Sequence, residues 1–389
     1  MNDLTIQQAS TLLNAVIQQA TGANPTLTNV NTKDVISVAQ TVLKQGYDPM
    51  TAAISQVLSR TIFSIRPYDK KFRGLEVTEQ RWGNHVRKLQ AIDGEFEDNE
   101  EFKLVDGQSI DMYKVNKPKV LQTNFYGEDT FQKHITMYRN QLDTAFSSVG
   151  EFGQFVTMIL QNSYDMIAQE DETFDRLALS NFITGKVAGD PTNVRHLVTE
   201  YNAYAGTSYT KTTIKDPTAY EPFIKWVYGF IKTLIGKMSE RSELYHINIT
   251  GKAIKRHTPT NRLKMYLYAP VMNDITASVL SDLYNDQLLK MAEHETVNYW
   301  QNIAQPGSVL ATPTYMGTDG TLVTATDPVQ VDDIFGLIFD EEAIGVNRCN
   351  EWSERTPMNA AGGYTNIYWH WTRRYWNDFT ENGILLLMD

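Results

Sequence analysis

The sequence predicts an α+β protein built in successive parts. Residues 151–184 hold a helical apolar spacing for far longer than an ordinary helix. Residues 70–119 carry β-leaning segments broken by glycines and Asp-Gly turns. Residues 221–350 mix both periodicities, and residues 365–389 close the chain with alternating aromatics and an apolar run.

Taken in order, residues 1–62 read as an arm. Weak amphipathic stretches at 4–19, 33–44 and 50–59 are joined by loose linkers and have apolar stripes too narrow for a core of their own. The character changes near Pro67, and from Lys70 to Lys119 the chain reads as a ribbon. Its middle, DGEFEDNEEF (93–102), is acidic and holds Glu95, Glu97 and Asp98, whereas Arg73, Arg87 and Lys88 are among the basic residues of its flanks. One reading is a solvated two-stranded ribbon. The other is that acidic tip and basic base meet on different copies of the chain. A ribbon with few core residues is marginal alone and needs a surface to lie on.

Over 151–184, Phe152, Phe155, Val156, Ile159, Leu160, Met166, Ile167, Phe174, Leu177, Ala178 and Phe182 keep the 3–4 spacing without a proline. At ~1.5 Å per residue that is a rod of roughly 50 Å. A second helix is expected at 221–238, with Pro222 near its start. Strands are expected at 243–250 and 263–270, then a helix capped by Asn273 or Asp274, and possible helix again around 286–296. Residues 305–330 read as a hairpin insertion, 333–340 as a buried strand, the stretch after it as a short helix or turn, and 345–363 as a flexible or contact loop.

In the tail, Ile367, Trp369 and Trp371 alternate with Tyr368, His370 and Thr372, so one strand face is expected on the long helix and the other toward a neighbour. Arg373 and Arg374 beside Tyr375 and Trp376 suit stacking or ion pairs between subunits; simple packing within the chain accounts for the apolar face equally well. Asn382-Gly383 predicts a turn and 384–388 a buried last strand.

Composition excludes several functions. Net charge is −11, which opposes a free nucleic-acid binder. The single cysteine, Cys349, allows no internal disulfide and no cysteine-rich zinc site. The N-terminal residues lack a signal peptide's pattern, and no apolar run approaches a membrane span, so a soluble intracellular protein is expected. His294-Glu295 lacks the second histidine of a zinc protease, because Asn298 stands there. Gly236-Lys237 and Gly251-Lys252 lack the rest of a phosphate loop. Asp332, Asp333, Asp340, Glu341 and Glu342 have the ligand type for a hard cation, but such acids more often flank a strand or a helix start. The basic stretch 251–262 is a solvated loop or a surface toward enclosed DNA. No catalytic residue, cofactor or metal is expected.

The order of parts, with GGYTNIYWHWTRRYWNDFTENGILLLMD at the end and FIKWVYGFIKTLIGKM before it, resembles the major capsid proteins of tailed bacteriophages, with the Hong Kong 97 type of fold. That resemblance implies an N-terminal arm (1–62), an E-loop (63–124), a P-domain with a spine helix at 151–184 (125–215), an A-domain (216–364) and C-terminal strands returning to the P-domain (365–389). It also implies that copies form the pentamers and hexamers of an icosahedral head around DNA, assembled in a bacterial host, with a scaffolding protein, portal and decoration proteins as possible partners and no membrane. The candidate contact residues are then Arg73, Arg87, Lys88, Glu95, Glu97, Asp98, Trp371, Arg373, Arg374, Tyr375 and Trp376. The rival readings are an encapsulin-like nanocompartment shell, an α/β enzyme centred on 221–350, and a portal or tail component.

Overall fold

The long helical signal forms α1, Val149–Gly189, in a computed structural model that describes residues 72–77, 85–92, 106–107, 113, 115, 117, 119–139, 149–251, 254–280 and 294–389. The predicted arm and the ribbon's acidic tip lie outside those residues. At 41 residues α1 exceeds the expected span at both ends. Its last turn is held by Lys186, whose buried ammonium meets Asp190 at 2.7 Å. Pro191 then follows and prevents continuation.

A five-stranded sheet lies beside α1. Its strands are β5 (Val194–His196), β6 (Leu263–Tyr268), β7 (Glu295–Val297), β12 (Ile334–Asp340) and β15 (Gly383–Leu387), in the order β5-β15-β12-β6-β7. Strand alternation sends side chains to two cores. Met265, Leu267, Ile338, Ile384 and Leu386 pack under α2 (Leu197–Ala205), α3 (Pro217–Met238) and α4 (Ala269–Leu280). Tyr266, Leu337, Phe339, Leu385 and Leu387 pack on the other side with Leu179, Phe182 and Ile183 of α1. Both β12 and β15 are buried along their whole length, which explains their nearly uninterrupted apolar sequences. Gly336 allows β12 to approach β6, since a Cβ there would meet Leu267 and the Tyr266 carbonyl.

The side facing α1 also receives the predicted hairpin insertion. β8 (Val309–Ala311) pairs with β11 (Val329–Val331), and β9 (Thr314–Met316) with β10 (Leu322–Thr324), both antiparallel. Val309, Val331 and Trp300 enter the same core as α1.

A second sheet has the order β1-β13-β14-β4, formed by Glu76–Val77, Ile344–Arg355, Tyr364–Asn377 and Asp129–Tyr138. The ribbon's described base pairs β2 (His85–Ala91) with β3 (Val120–Tyr126), antiparallel.

Several expectations are corrected. Residues 243–250 form no strand. Tyr245 adopts a left-handed φ of 71°, and the backbone bonds of the segment go to remote parts of the chain: Ile247 N–H to the Phe379 carbonyl, Gly383 N–H to the Tyr245 carbonyl and Thr250 N–H to the Thr318 carbonyl. α3 starts at Pro217 rather than 221, because Asp216 accepts the Thr218 N–H and Pro217 supplies the preset first turn. α4 starts at Ala269, leaving Asn273 and Asp274 inside it. Of the stretch read as a short helix or turn and then a loop, 341–343 is a turn, Ile344–Arg355 is the long strand β13, paired with β14 over eleven registered positions, and 356–363 is the loop that leads into β14. The helix expected around 286–296 falls in part on 286–293, outside the described residues, and in part on β7, which pairs parallel with β6. The tail divides between sheets: β14 in the outer one, β15 in the central one between β5 and β12.

Candidate assembly surface

β14 alternates as the sequence predicts up to Trp371, whereas Thr372, expected on the open face, is buried. Ile367, Trp369 and Trp371 are buried, while Tyr368 and His370 are partly open. On the buried side Phe131 of β4 lies 4.4 Å from Phe174 of α1 and 6.5 Å from Trp371, ring centre to ring centre. The outward side carries a row of rings across three strands. Trp352 stacks on His370 at 5.0 Å, His370 neighbours Tyr368 at 6.3 Å, and Tyr368 stacks on His134 at 5.2 Å.

The charged candidates mostly meet partners inside the chain. Arg373 is 2% exposed; its Nε donates to Asp171 of α1 at 3.0 Å, and its Nη2 meets Glu351 at 2.9 Å. Burial works against its charge, but Asp171 and Glu351 prevail and raise its pKa. Arg374 donates to Glu128 at 3.1 Å. The Lys88 ammonium, at the ribbon base, reaches Asp378 at 3.0 Å, Glu381 at 2.5 Å and Glu342 at 3.0 Å. Burial opposes that charge too, and the Asp378 and Glu381 carboxylates more than offset it. Arg256 adds a second cation to Glu381 at 2.9 Å.

Of the residues expected between subunits, Trp371 is buried beside Phe131, and Lys88, Arg373 and Arg374 are ion-paired within one chain. The physical reason is that a charge so deeply buried needs a counter-charge beside it, and the chain supplies each one. Arg87 is exposed, the Tyr375 hydroxyl meets exposed Asp129, and half-buried Trp376 packs near Phe125. Those three keep surface available to a neighbour. The Arg73 side chain and Glu95, Glu97 and Asp98 lie outside the described residues. Sequence reasoning missed Asp171, Glu128, Asp378 and Glu381. Only the last two had a local signal, the turn-forming DFTEN around them, where Asp378 accepts the Thr380 N–H.

The acidic cluster considered for a cation is occupied otherwise. Arg262 pairs with Glu341 and Glu342, Lys211 with Asp333, and Thr258 donates to Asp340 at 2.8 Å. Among the described residues no group of acids, histidines and cysteines has a geometry for a metal ion, and no helix is long and apolar enough to cross a membrane. An open groove of about 550 Å³ runs beside α1, lined by Glu172, Arg176, Tyr299 and Gln301 among others. Its ion pair is a brace. Arg176 is held by Glu172, its guanidinium sits 3.8 Å from the Tyr299 ring centre and 4.9 Å from that of Phe72, and it donates to the Tyr299 and Trp300 carbonyls.

A model of the Phi29-like phage major capsid protein family matches residues 13–387. Comparison with curated proteins finds no match. Among solved structures, the capsid structure of Staphylococcus phage Andhra aligns with a TM-score of 0.57 at 12% identity, covering 84% of this chain and 86% of that chain. A chain from the structure of the head fiber and inner core protein gp22 of bacteriophage P68 aligns at 0.56 and 11% identity, with 84% and 86% covered. At such identities the likeness is one of fold, the α+β Hong Kong 97 type.

Proposed function

The chain belongs to the Phi29-like phage major capsid protein family, and from that premise we propose that its copies form the pentamers and hexamers of an icosahedral head enclosing DNA. It is a major capsid protein of a phage head, a structural component of the virion that assembles with itself into a shell. The observation that carries the reading is the family match across nearly the whole chain.

The surface supports it. The inward faces of both sheets are packed, while Trp352, Tyr138 and Tyr375 remain exposed on the outer sheet and Leu89, Val120 and Tyr126 on the ribbon base. Open aromatic and aliphatic surface of this kind suits contact with further protein. In this reading residues 1–62 are the arm, 63–124 the E-loop, 125–215 the P-domain, 216–364 the A-domain and 365–389 the returning strands. The central sheet joins strands from the last three of these. Arg87, Tyr375 and Trp376 are the described candidates for inter-subunit contact, and the acidic tip with Glu95, Glu97 and Asp98 is the other. Scaffolding, portal and decoration proteins are the further partners, with assembly in the host cytoplasm.

The test is negative-stain microscopy and size-exclusion chromatography of the chain expressed alone and then with its phage's scaffolding candidates. Closed shells, or rings of five and six, are expected. A subunit that stays monomeric under crowding and with every co-expressed partner overturns the proposal.

A further inference from the structure

Two segments on opposite sides of the central sheet differ in charge. Residues 211–241, which include α3, hold six Lys and Arg against three Asp and Glu. Residues 294–333, which include the β8–β11 hairpin, hold five Asp and Glu and no Lys or Arg. Lys215, Lys225, Lys232 and Lys237 are exposed on the first; Glu295, Asp319, Asp327 and Asp332 are exposed on the second. Each side also keeps open apolar surface. Tyr204 is 74% exposed beside Trp226 near α3, and Leu310 and Leu322 are 52% and 73% exposed on the hairpin.

The layering fixes how these surfaces relate. α3 covers one face of the sheet, and the hairpin lies with α1 over the opposite face. We infer that the α3 surface of one copy docks on the β8–β11 hairpin surface of the next, through complementary charge around an apolar centre. The occupant of each surface is a second copy of this chain. Two different surfaces on opposite sides of one subunit make a head-to-tail contact, and a head-to-tail contact that closes makes a ring. Opposite potentials set the register and disfavour like-to-like pairing. Lys211 already pairs with Asp333 and Lys225 with Glu221 in their own chain, so Lys232 and Lys237 of α3 carry the contact. The inference rests on the shell reading above and adds which faces meet.

Charge exchange tests it on the full chain. One variant carries Lys232→Glu and Lys237→Glu, a second Asp327→Lys and Asp332→Lys, and a third all four; a milder pair, Lys232→Gln and Lys237→Gln, guards against misfolding. Circular dichroism and melting of the unassembled subunit report folding, and microscopy with chromatography reports the assembled fraction. Each reversal is expected to lower that fraction by about tenfold or more. The four-fold exchange is expected to restore most of it, and the neutral pair to lower it less. Folded reversal variants that assemble like the unaltered chain, or a four-fold variant no better than either parent, overturn the inference while leaving the shell reading standing. Absence of assembly by the unaltered chain, alone and with every co-expressed partner, brings down both.

Discussion

Arg373 and Asp171 stand 202 positions apart in sequence and 3.0 Å apart in space, both almost wholly buried. The pair fastens the outer sheet to α1, and Glu351 of β13 completes it from the solvent side. Removing one member of a buried pair strands the other charge. Arg373→Met is therefore expected to destabilise the subunit by about 3–5 kcal/mol. Arg373→Met with Asp171→Leu together is expected to recover most of that loss. Denaturant melts of the unassembled subunit, arranged as a double-mutant cycle, decide it; additive losses would mean that the pair is not coupled.

Lys88 predicts a pH dependence. Burial already pushes the Glu381 carboxyl up, and Lys88 and Arg256 act against that rise. Taking Lys88 away lifts it further. An acid whose folded pKa lies above its unfolded value loses stability as pH climbs through that interval. Lys88 itself, raised in the fold, contributes its stabilisation at every pH below its unfolded value, so the slope belongs to the acid. Lys88→Met should thus cost about 3 kcal/mol near pH 8 and less near pH 5. A gap that is constant across this range, or widens toward acid, contradicts the assignment.

Two helical glycines should respond in opposite directions to alanine. Gly229 in α3 has nothing within 4 Å of a built Cβ, so alanine removes only the glycine's entropic cost, about 0.5–1 kcal/mol in favour of folding. At Gly185 in α1 the new methyl would run into the Phe379 ring, which stacks on Phe182 at 4.9 Å. Overpacking of this kind costs about 1–3 kcal/mol and outweighs the helical gain. Melting temperatures should rise for Gly229→Ala and fall for Gly185→Ala. Equal signs would show that the ring moves aside.

What the sequence disclosed follows from the range of each signal. The spacing from Phe174 to Phe182 and the alternation through Ile367, Trp369 and Trp371 are local periodicities, and both became the elements they predict. The same holds for the apolar runs of β12 and β15, which are buried on both faces. The segment at 243–250 misleads because its alternation is real and its backbone partners, at Phe379 and Gly383, are remote. β13 misleads in the opposite way. Its NRCNEWSER is polar on both faces, since Glu351 answers Arg373 and Asn347 is buried, so no apolar pattern marks it as a strand. The contact candidates fared according to burial: an arginine beside aromatics reads alike whether its partner lies in the same chain or the next.

Cys349 gives a chemical test of β13. The ladder with β14 steps from Arg348 opposite Arg373 to Asn350 opposite Thr372, so Cys349 is the extra residue of a bulge. It is 6% exposed, its sulfur lies 4.0 Å from the Asn347 carbonyl, and burial raises its pKa despite Arg374 nearby. The reactive species is the thiolate, so low access and a raised pKa act in the same direction. Alkylation of the native subunit at pH 8 should be about a hundredfold slower or more than in denaturant, with its rate set by opening of the sheet. Glu351→Ala removes the outer carboxylate that ties β13 to Arg373, and it should speed native alkylation without changing the denatured rate. A native thiol that reacts as fast as the denatured one would place Cys349 at the surface and contradict its burial in the sheet.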